Sequence, residues 1–377
     1  MKCNIKVLSP IHIGSGEKYT ASEYVKSKAK TNKGNIFNII KRMDVSSYFS
    51  SLDENKKDDL LRDLSNPNFN LGNFDSRISN SYVKYKAIDI TKKEIYPSQE
   101  IAEAIKTLNE LYIPGSSIKG AIKTAILFNE LDGRLISKIS KNILSDNGSV
   151  IKKNYGIFMN DIFVSNKAPP KAPPAQWDIM KFLQVSDTNT IKSPTIYDVA
   201  TVMASFKWGD NEFYSKNKRT HEPILIYLET IARGKKLSFE IRNHYDYDIF
   251  KSLGLDDKKH LIDIKNIKRY IFNFSKSLIR NEIEFSEDYE IDYLNKFYLN
   301  LEKQNSIDNP VLRVGGGSGF LATTVGLKIK DNDERIFERI RKGTRGKTYD
   351  YSFPKSRKIT QDGEMPLGWI QLSFGEV

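Results

Sequence analysis

Residues Tyr112–Thr124 read YIPGSSIKGAIKT, and the chain is organised around them. Pro114-Gly115 makes a turn, after which Ser116 or Ser117 can cap a new helix by accepting a backbone N–H. Ile118, Ala121, Ile122, Ala125 and Ile126 recur at the spacing of one helical face, so that face is expected to be buried in a helix running to Glu130. Lys119 and Lys123 stand one turn apart on a neighbouring face. A cation in the first helical turn opposes the helix dipole by ~0.3–1 kcal/mol. An anion held at the helix start by free N–H groups, a serine hydroxyl and the lysine removes that conflict. The stretch is therefore read as a phosphate-binding helix N-terminus.

Two further turns of glycine and serine border apolar elements. Pro10–Gly16, PIHIGSG, follows the first strand, and Arg313–Gly319, RVGGGSG, lies near the end of the chain. The phosphate contacts expected from these turns are Ser15, Ser116, Ser117, Lys119, Lys123 and the backbone of Gly315, Gly316, Gly317, Ser318 and Gly319, with His12 and Arg313 beside them. The turns are expected to fold into a single cationic cradle for a polyanion.

These segments carry a resemblance. LSPIHIGSG at 8–16, YIPGSSIKGAIKT at 112–124, RVGGGSGFLATTVG at 313–326 and FPKSRK…PLGWIQLSF at 353–374 resemble the RAMP superfamily of CRISPR RNA-binding proteins. Within it, they are most similar to the subunits that cap the type III-A Csm effector complex. The resemblance implies an α+β fold of ferredoxin-like, RNA-recognition-type modules, β-α-β-β-α-β, with long insertions. It implies a non-catalytic subunit that holds guide RNA (crRNA) toward its 3′ end, lies near target RNA and supports guide maturation by recruiting nucleases. The implied protein partners are the backbone and small subunits of the Csm complex.

Composition sets bounds on these expectations. A chain of 377 residues is expected to form about two domains. They are placed at 1–190, an N-terminal module with insertions, and 191–377, a C-terminal module with a helical insertion and the glycine-rich loop. The formal net charge of +12 favours nucleic acid or an anionic surface as partner. Cys3 is the single cysteine, so no intrachain disulfide or cysteine-based zinc site can form, which fits a reducing cytoplasm. The N-terminus lacks the apolar run of a signal peptide. No apolar stretch approaches the ~18 residues of a membrane span.

Along the chain, Asn4–Leu8 alternates as a strand, and Ser22–Val25 and Asn35–Ile40 form a hairpin. Lys26, Lys28, Lys30, Lys33, Lys41 and Arg42 make that hairpin basic, with no acid from Lys26 to Met43, as suits a grip on a nucleic-acid backbone. Val45–Leu64 is expected to be helical, Tyr82–Ile90 a strand, Ser98–Leu108 a helix, and Leu131–Tyr155 polar and helix-poor at its end. Phe182–Asp187 and Ile196–Phe206 read as strands, and Ile224–Ala232 with Lys235–Asn243 as a hairpin around Arg233-Gly234. Between them, Lys207–Glu222 interleaves aromatics with bases, a pattern suited to single-stranded RNA. Leu261–Ile283 and Tyr289–Leu301 read as helices and Gly368–Phe374 as the closing strand. The first strand, the helix after Pro114 and the Phe182–Phe206 strands are assigned to the N-terminal module. The 224–243 hairpin, the Leu261–Ile283 helix and the closing strand are assigned to the C-terminal one.

The chain carries little sign of catalysis. His12, His221, His244 and His260 show no metal-ligand spacing, so no metal site and no cofactor are expected. Gly315–Gly319 lacks the Gly-Lys-Ser/Thr ending of a nucleotide P-loop. The alternative is a metal-independent, repeat-processing endoribonuclease with His12 as general acid or base, a chemistry some RAMP relatives perform. It needs an ordered partner for His12 within hydrogen-bond reach, and the sequence shows none.

Overall fold

Lys2–Val7 (β1) alternates strictly: Cys3, Ile5 and Val7 are buried while Lys2, Asn4 and Lys6 face water. Next come β2 (Gly14–Tyr19), β3 (Tyr24–Lys30), β4 (Ile36–Met43), α1 (Val45–Ser51), α2 (Glu54–Asp63) and α3 (Leu71–Phe74). Asp44, Asp53 and Asn70 open the three helices by accepting first-turn N–H groups. β5 (Val83–Asp89), β6 (Ile101–Ala104), β7 (Lys106–Thr107) and β8 (Glu110–Leu111) lead into α4 (Gly115–Glu130). Then follow α5 (Gly133–Ile143), α6 (Ile157–Phe163), α7 (Pro174–Trp177), β9 (Leu183–Val185), β10 (Thr195–Met203), β11 (Leu225–Thr230) and β12 (Lys236–Asn243). The last elements are α8 (Tyr247–Leu253), α9 (Ile264–Asp288), α10 (Asp292–Gln304), β13 (Val311–Arg313), α11 (Phe320–Thr323), α12 (Gly326–Asn332), α13 (Glu334–Arg345), β14 (Ser356–Thr360) and β15 (Trp369–Phe374). This computed structural model describes residues 1–143, 157–203, 222–345 and 353–375.

The strands form two main sheets. The first has the order β13-β15-β1-β12-β9, each neighbouring pair antiparallel. Without the edge strand β13, the sequence β1-α4-β9-β12-α9-β15 is a β-α-β-β-α-β unit in which β1 lies between β15 and β12. That is the ferredoxin-like topology, and the fold is α+β. α4 and α9 pack together over one face, where the Phe128 and Phe274 rings meet at 5.2 Å. The second sheet runs β2-β6-β11-β10-β5-β4-β3, with β14 on β10. All of its strands are insertions between the ferredoxin-like elements. On one side α1–α3 bury Met43, Tyr48, Leu60, Phe69 and Leu71 against it.

The assignment of elements to two successive modules therefore needs correction. The first and closing strands, placed in different modules, are hydrogen-bonded neighbours, with Ile5 opposite Leu372. Each sheet draws strands from both sides of residue 190. Two expected elements also differ. Ser98–Leu108 is not a helix: pairing of Ile101 with Tyr19 and Tyr227 draws it into the second sheet as β6, overriding its helical spacing. β11 and β12 do not form a hairpin. The turn at Gly234, with φ of 85°, carries the chain from the second sheet to the first, and Gly234 N–H donates to Val7 O at 2.8 Å. Leu131–Tyr155 begins with the helix Gly133–Ile143, and its end, expected to be helix-poor, lies with residues 144–156 outside the described residues. Most of the Lys207–Glu222 loop, including His221, lies there too.

Candidate nucleic-acid interface

The first and third glycine turns join. β1 and β13 run parallel on either side of β15, and both end near Trp369: Arg313 pairs with it, and its carbonyl accepts from Leu8 N–H at 2.9 Å. Beyond the strand ends, Gly316 N–H donates to His12 O at 2.7 Å, and Gly368 N–H donates to Pro10 O at 2.9 Å. Gly315 has φ of 81°, and a Cβ there would come to 2.5 Å from His12 O, so only glycine fits this approach. The joined surface exposes Gly14, Ser15, Gly16, Gly316, Gly317 and Gly319. Ser15 Oγ donates to Glu103 O at 3.2 Å and accepts from Glu17 N–H.

Beneath this surface, three of the expected contact side chains are buried. Ser318 Oγ donates to Gly315 O at 2.7 Å and braces the loop from inside. Arg313 is 4% exposed; its guanidinium donates to Leu367 O at 3.0 Å and Gly317 O at 3.3 Å and lies 3.8 Å from Glu282. Glu282 is also bound by Arg357 at 2.6 Å. Arg313 thus shapes the glycine loop rather than reaching past it. His12 is 9% exposed, with Nδ1 2.8 Å from Glu229 O, and burial lowers its pKa from 6.5. The Glu229 carboxylate is fully buried: it accepts from the Tyr19 and Tyr85 hydroxyls at 2.8 Å each and from Ala104 N–H at 3.1 Å, and it pairs with Lys106. This network fixes the floor under the first turn.

The second turn is built separately. α4 begins at Gly115 with no side-chain cap of its own, so neither Ser116 nor Ser117 is the cap. Instead the Asp187 carboxylate accepts from Gly115 N–H at 2.7 Å, placing an anion at the helix start from within the chain. Ile118, Ile122, Ala125 and Ile126 are buried, as the spacing predicts. Ser116 is exposed and Ser117 half-buried. Lys123 donates to Asp178 at 2.8 Å and lies 4.6 Å from the Phe163 ring centroid. Lys119 contacts no carboxylate among the described residues; burial lowers its pKa, Asp178 raises it and Lys123 adds to the lowering.

The three turns do not make one cradle. Gly115 abuts Val185 and Ser186, and Ser186 N–H donates to Glu240 O, opposite Lys2. The joined turns start level with Leu8. Six residues along the strands is on the order of 20 Å, and β9 and β13 are opposite edges of the sheet.

Residues 4–343 match the RAMP superfamily profile. The chain belongs to the RAMP superfamily. Its whole length aligns with 89% of the CRISPR system Cms protein Csm5 of Methanocaldococcus jannaschii at 27% identity. The Csm5 protein of Streptococcus thermophilus is 28% identical over 65% of this chain and 64% of its own length. Among solved structures, a chain of a Csm–crRNA–target RNA ternary complex from a type III-A CRISPR-Cas system superposes with a TM-score of 0.68 at 25% identity, covering 99% of this chain and 100% of that one. The T. onnurineus Csm5 crystal structure shares the fold, with a TM-score of 0.60 at 22% identity over 97% of this chain and 99% of that one. Among the described residues of this RAMP protein, no helix is long and apolar enough to cross a membrane.

One site residue was not singled out in the sequence. Lys358 on β14 packs beside the glycine loop, where a Cβ on Gly317 would lie 3.4 Å from Lys358 Cβ. Its ammonium donates to Thr201 Oγ1 at 2.6 Å and contacts no carboxylate among the described residues; burial alone lowers its pKa. In the sequence it is one cation in the basic tract Arg335–Lys358, which only Glu338 and Asp350 interrupt. Only the pairing of β14 with β10, Lys358 opposite Thr201, separates it from the paired Arg357.

Proposed function

We propose that this chain is the Csm5-type subunit of a type III-A CRISPR ribonucleoprotein, holding guide RNA toward its 3′ end beside target RNA and meeting the backbone and small subunits. The carrying observation is the surface made by the first and third turns: exposed glycine and serine backbone, no side chain to bar a phosphodiester, and half-buried Lys358 without an acid. Sugar–phosphate contacts of this kind position a strand without reading its sequence. Ser15, Gly316, Gly317 and Gly319 are the contacts supported best. Ser116, Ser117 and Lys119 form a second contact farther along the strand, where Asp187 already occupies the helix start. Lys123, neutralised by Asp178, contributes less. Arg313, Ser318 and His12 act from below by holding the loop.

The proposed role is non-catalytic. As general base, His12 would have to reach a ribose 2′-OH, but its ring lies under Gly316 with Nδ1 engaged by a backbone carbonyl. The test is RNA binding across a salt series. Lys358→Ala should weaken affinity for unrelated single-stranded sequences alike and lower the salt slope by about 0.7, the value for one single-strand phosphate contact. An unchanged affinity and slope would refute the assignment. Site-specific cleavage in excess chelator, abolished by His12→Ala, would favour the endoribonuclease.

A further inference from the structure

The basic hairpin β3–β4 has a cleft along its middle that the glycine turns do not account for. It encloses about 530 Å³ between the hairpin and the loop Thr91–Ile95. That volume lies within the range of small-ligand sites. Lys26, Lys28, Lys92 and Lys93 line it against only two acids, Asp89 and Glu94. Lys26 lies 3.5 Å from Glu94, Lys92 2.8 Å from Asp362 and Lys93 3.9 Å from Glu222. Lys28 contacts no carboxylate among the described residues. Ile95 supplies apolar wall, and Asn38, on the same face of the hairpin as Lys26 and Lys28, supplies a hydrogen-bonding group together with Thr91.

Two buried groups mark the cleft as a built feature. Asp198 is fully buried, yet its Oδ2 accepts from Lys92 N–H at 3.0 Å and Lys93 N–H at 3.1 Å, fixing the loop that brings both lysines to the rim. A buried carboxylate is costly unless it is hydrogen-bonded, and here the two loop N–H groups are its donors. Tyr24 lies on the same face of β3 as Lys26 and Lys28 by strand alternation, and its buried hydroxyl has no hydrogen-bond partner.

We propose that this cleft binds a phosphorylated nucleoside, with the phosphate on Lys28 and Lys93 and the base against Ile95, Asn38 and Thr91. The nucleoside is one residue of a single-stranded RNA or a free nucleotide. The proposal rests on the RNA-binding role above but assigns a separate site.

The test uses the full chain, with Lys28→Ala/Lys93→Ala set beside Lys358→Ala. Both substituted cleft lysines are exposed, so circular dichroism should be unchanged. For single-stranded RNA, the double variant should lose about tenfold in affinity and about 1.4 in salt slope, two phosphate contacts' worth. 4-Thiouridine crosslinks should map to peptides spanning residues 26–28 or 91–95. Titration of the wild type with uridine and adenosine monophosphates separates the sources: nucleotide binding lost in the double variant, with RNA affinity intact, assigns the cleft to free nucleotides. If neither ligand is affected while Lys358→Ala still weakens RNA binding, the cleft proposal alone is overturned. If wild-type protein binds no RNA at all, the function proposal fails, and the nucleotide titration still decides the cleft.

Discussion

At the scale of single residues, burial decides which of the charges read from the sequence are available to a partner. Lys119 and Lys123 are equivalent in the sequence, one helical turn apart, yet Asp178 takes one and leaves the other. Arg313 and Lys358 reverse expectation: the arginine beside the glycine run is buried on Glu282, while the lysine lost in a basic tract stands by the loop without an acid. Nothing local in the sequence carries these pairings, because each partner is supplied by a distant segment. His12 gives a direct test. Burial, its largest influence, lowers its pKa, as does Lys106, against the opposing pull of Glu229, so the folded protein holds it neutral below the unfolded value of 6.5. Between the two values the unfolded chain binds more protons, so stability is full above pH 6.5 and falls as the pH drops through that window. Urea unfolding of wild type and His12→Gln from pH 7.5 to 5 should show this loss in the wild type and a flatter profile in the variant. Parallel profiles would contradict the buried neutral imidazole.

At the scale of elements, periodicity is a good guide where an element packs on its own face and a poor one where pairing is remote. α4 starts and stops where its apolar spacing says, at Gly115 and Glu130. β6 carries similar spacing but is captured as a strand between β2 and β11. α4 also shows why its glycines are not equivalent. A Cβ on Gly115 would overlap the Val185 carbonyl oxygen and press on Ser186, forcing the helix off β9. One on Gly120 would meet nothing within 4 Å, on an exposed turn of the same helix. Gly115→Ala should therefore destabilise by about 2–3 kcal/mol through overpacking. Gly120→Ala should stabilise by about 0.5–1 kcal/mol through helix propensity and unfolded-state entropy. Chemical denaturation of the two variants checks the pair, and the same sign for both would mean that the close approach of α4 to β9 is misplaced.

At the scale of the whole molecule, the chain closes on itself, and this was the part least legible in the sequence. Alternation in Lys2–Val7 and Trp369–Phe374 marks two strands but cannot say that they are neighbours, because register and partner are set by the buried face they share. Each half of the chain supplies two strands and one helix of the β-α-β-β-α-β unit: β1, α4 and β9 come from one, β12, α9 and β15 from the other. Cut near residue 190, the first half would keep β1 without either of its sheet neighbours, with Cys3, Ile5 and Val7 exposed. The second half would lose the strand that holds β12 and β15 together. The second sheet would part as well, since β10 and β11 separate from β5 and β6. Neither half therefore has a closed core, and a long edge left open favours aggregation. Residues 1–190 and 191–377, expressed separately, should be insoluble or lack a cooperative thermal transition, whereas co-expression should recover a soluble pair. A fragment 1–190 that melts cooperatively alone would show that the interleaving of β1 with β12 and β15 is not what holds the fold.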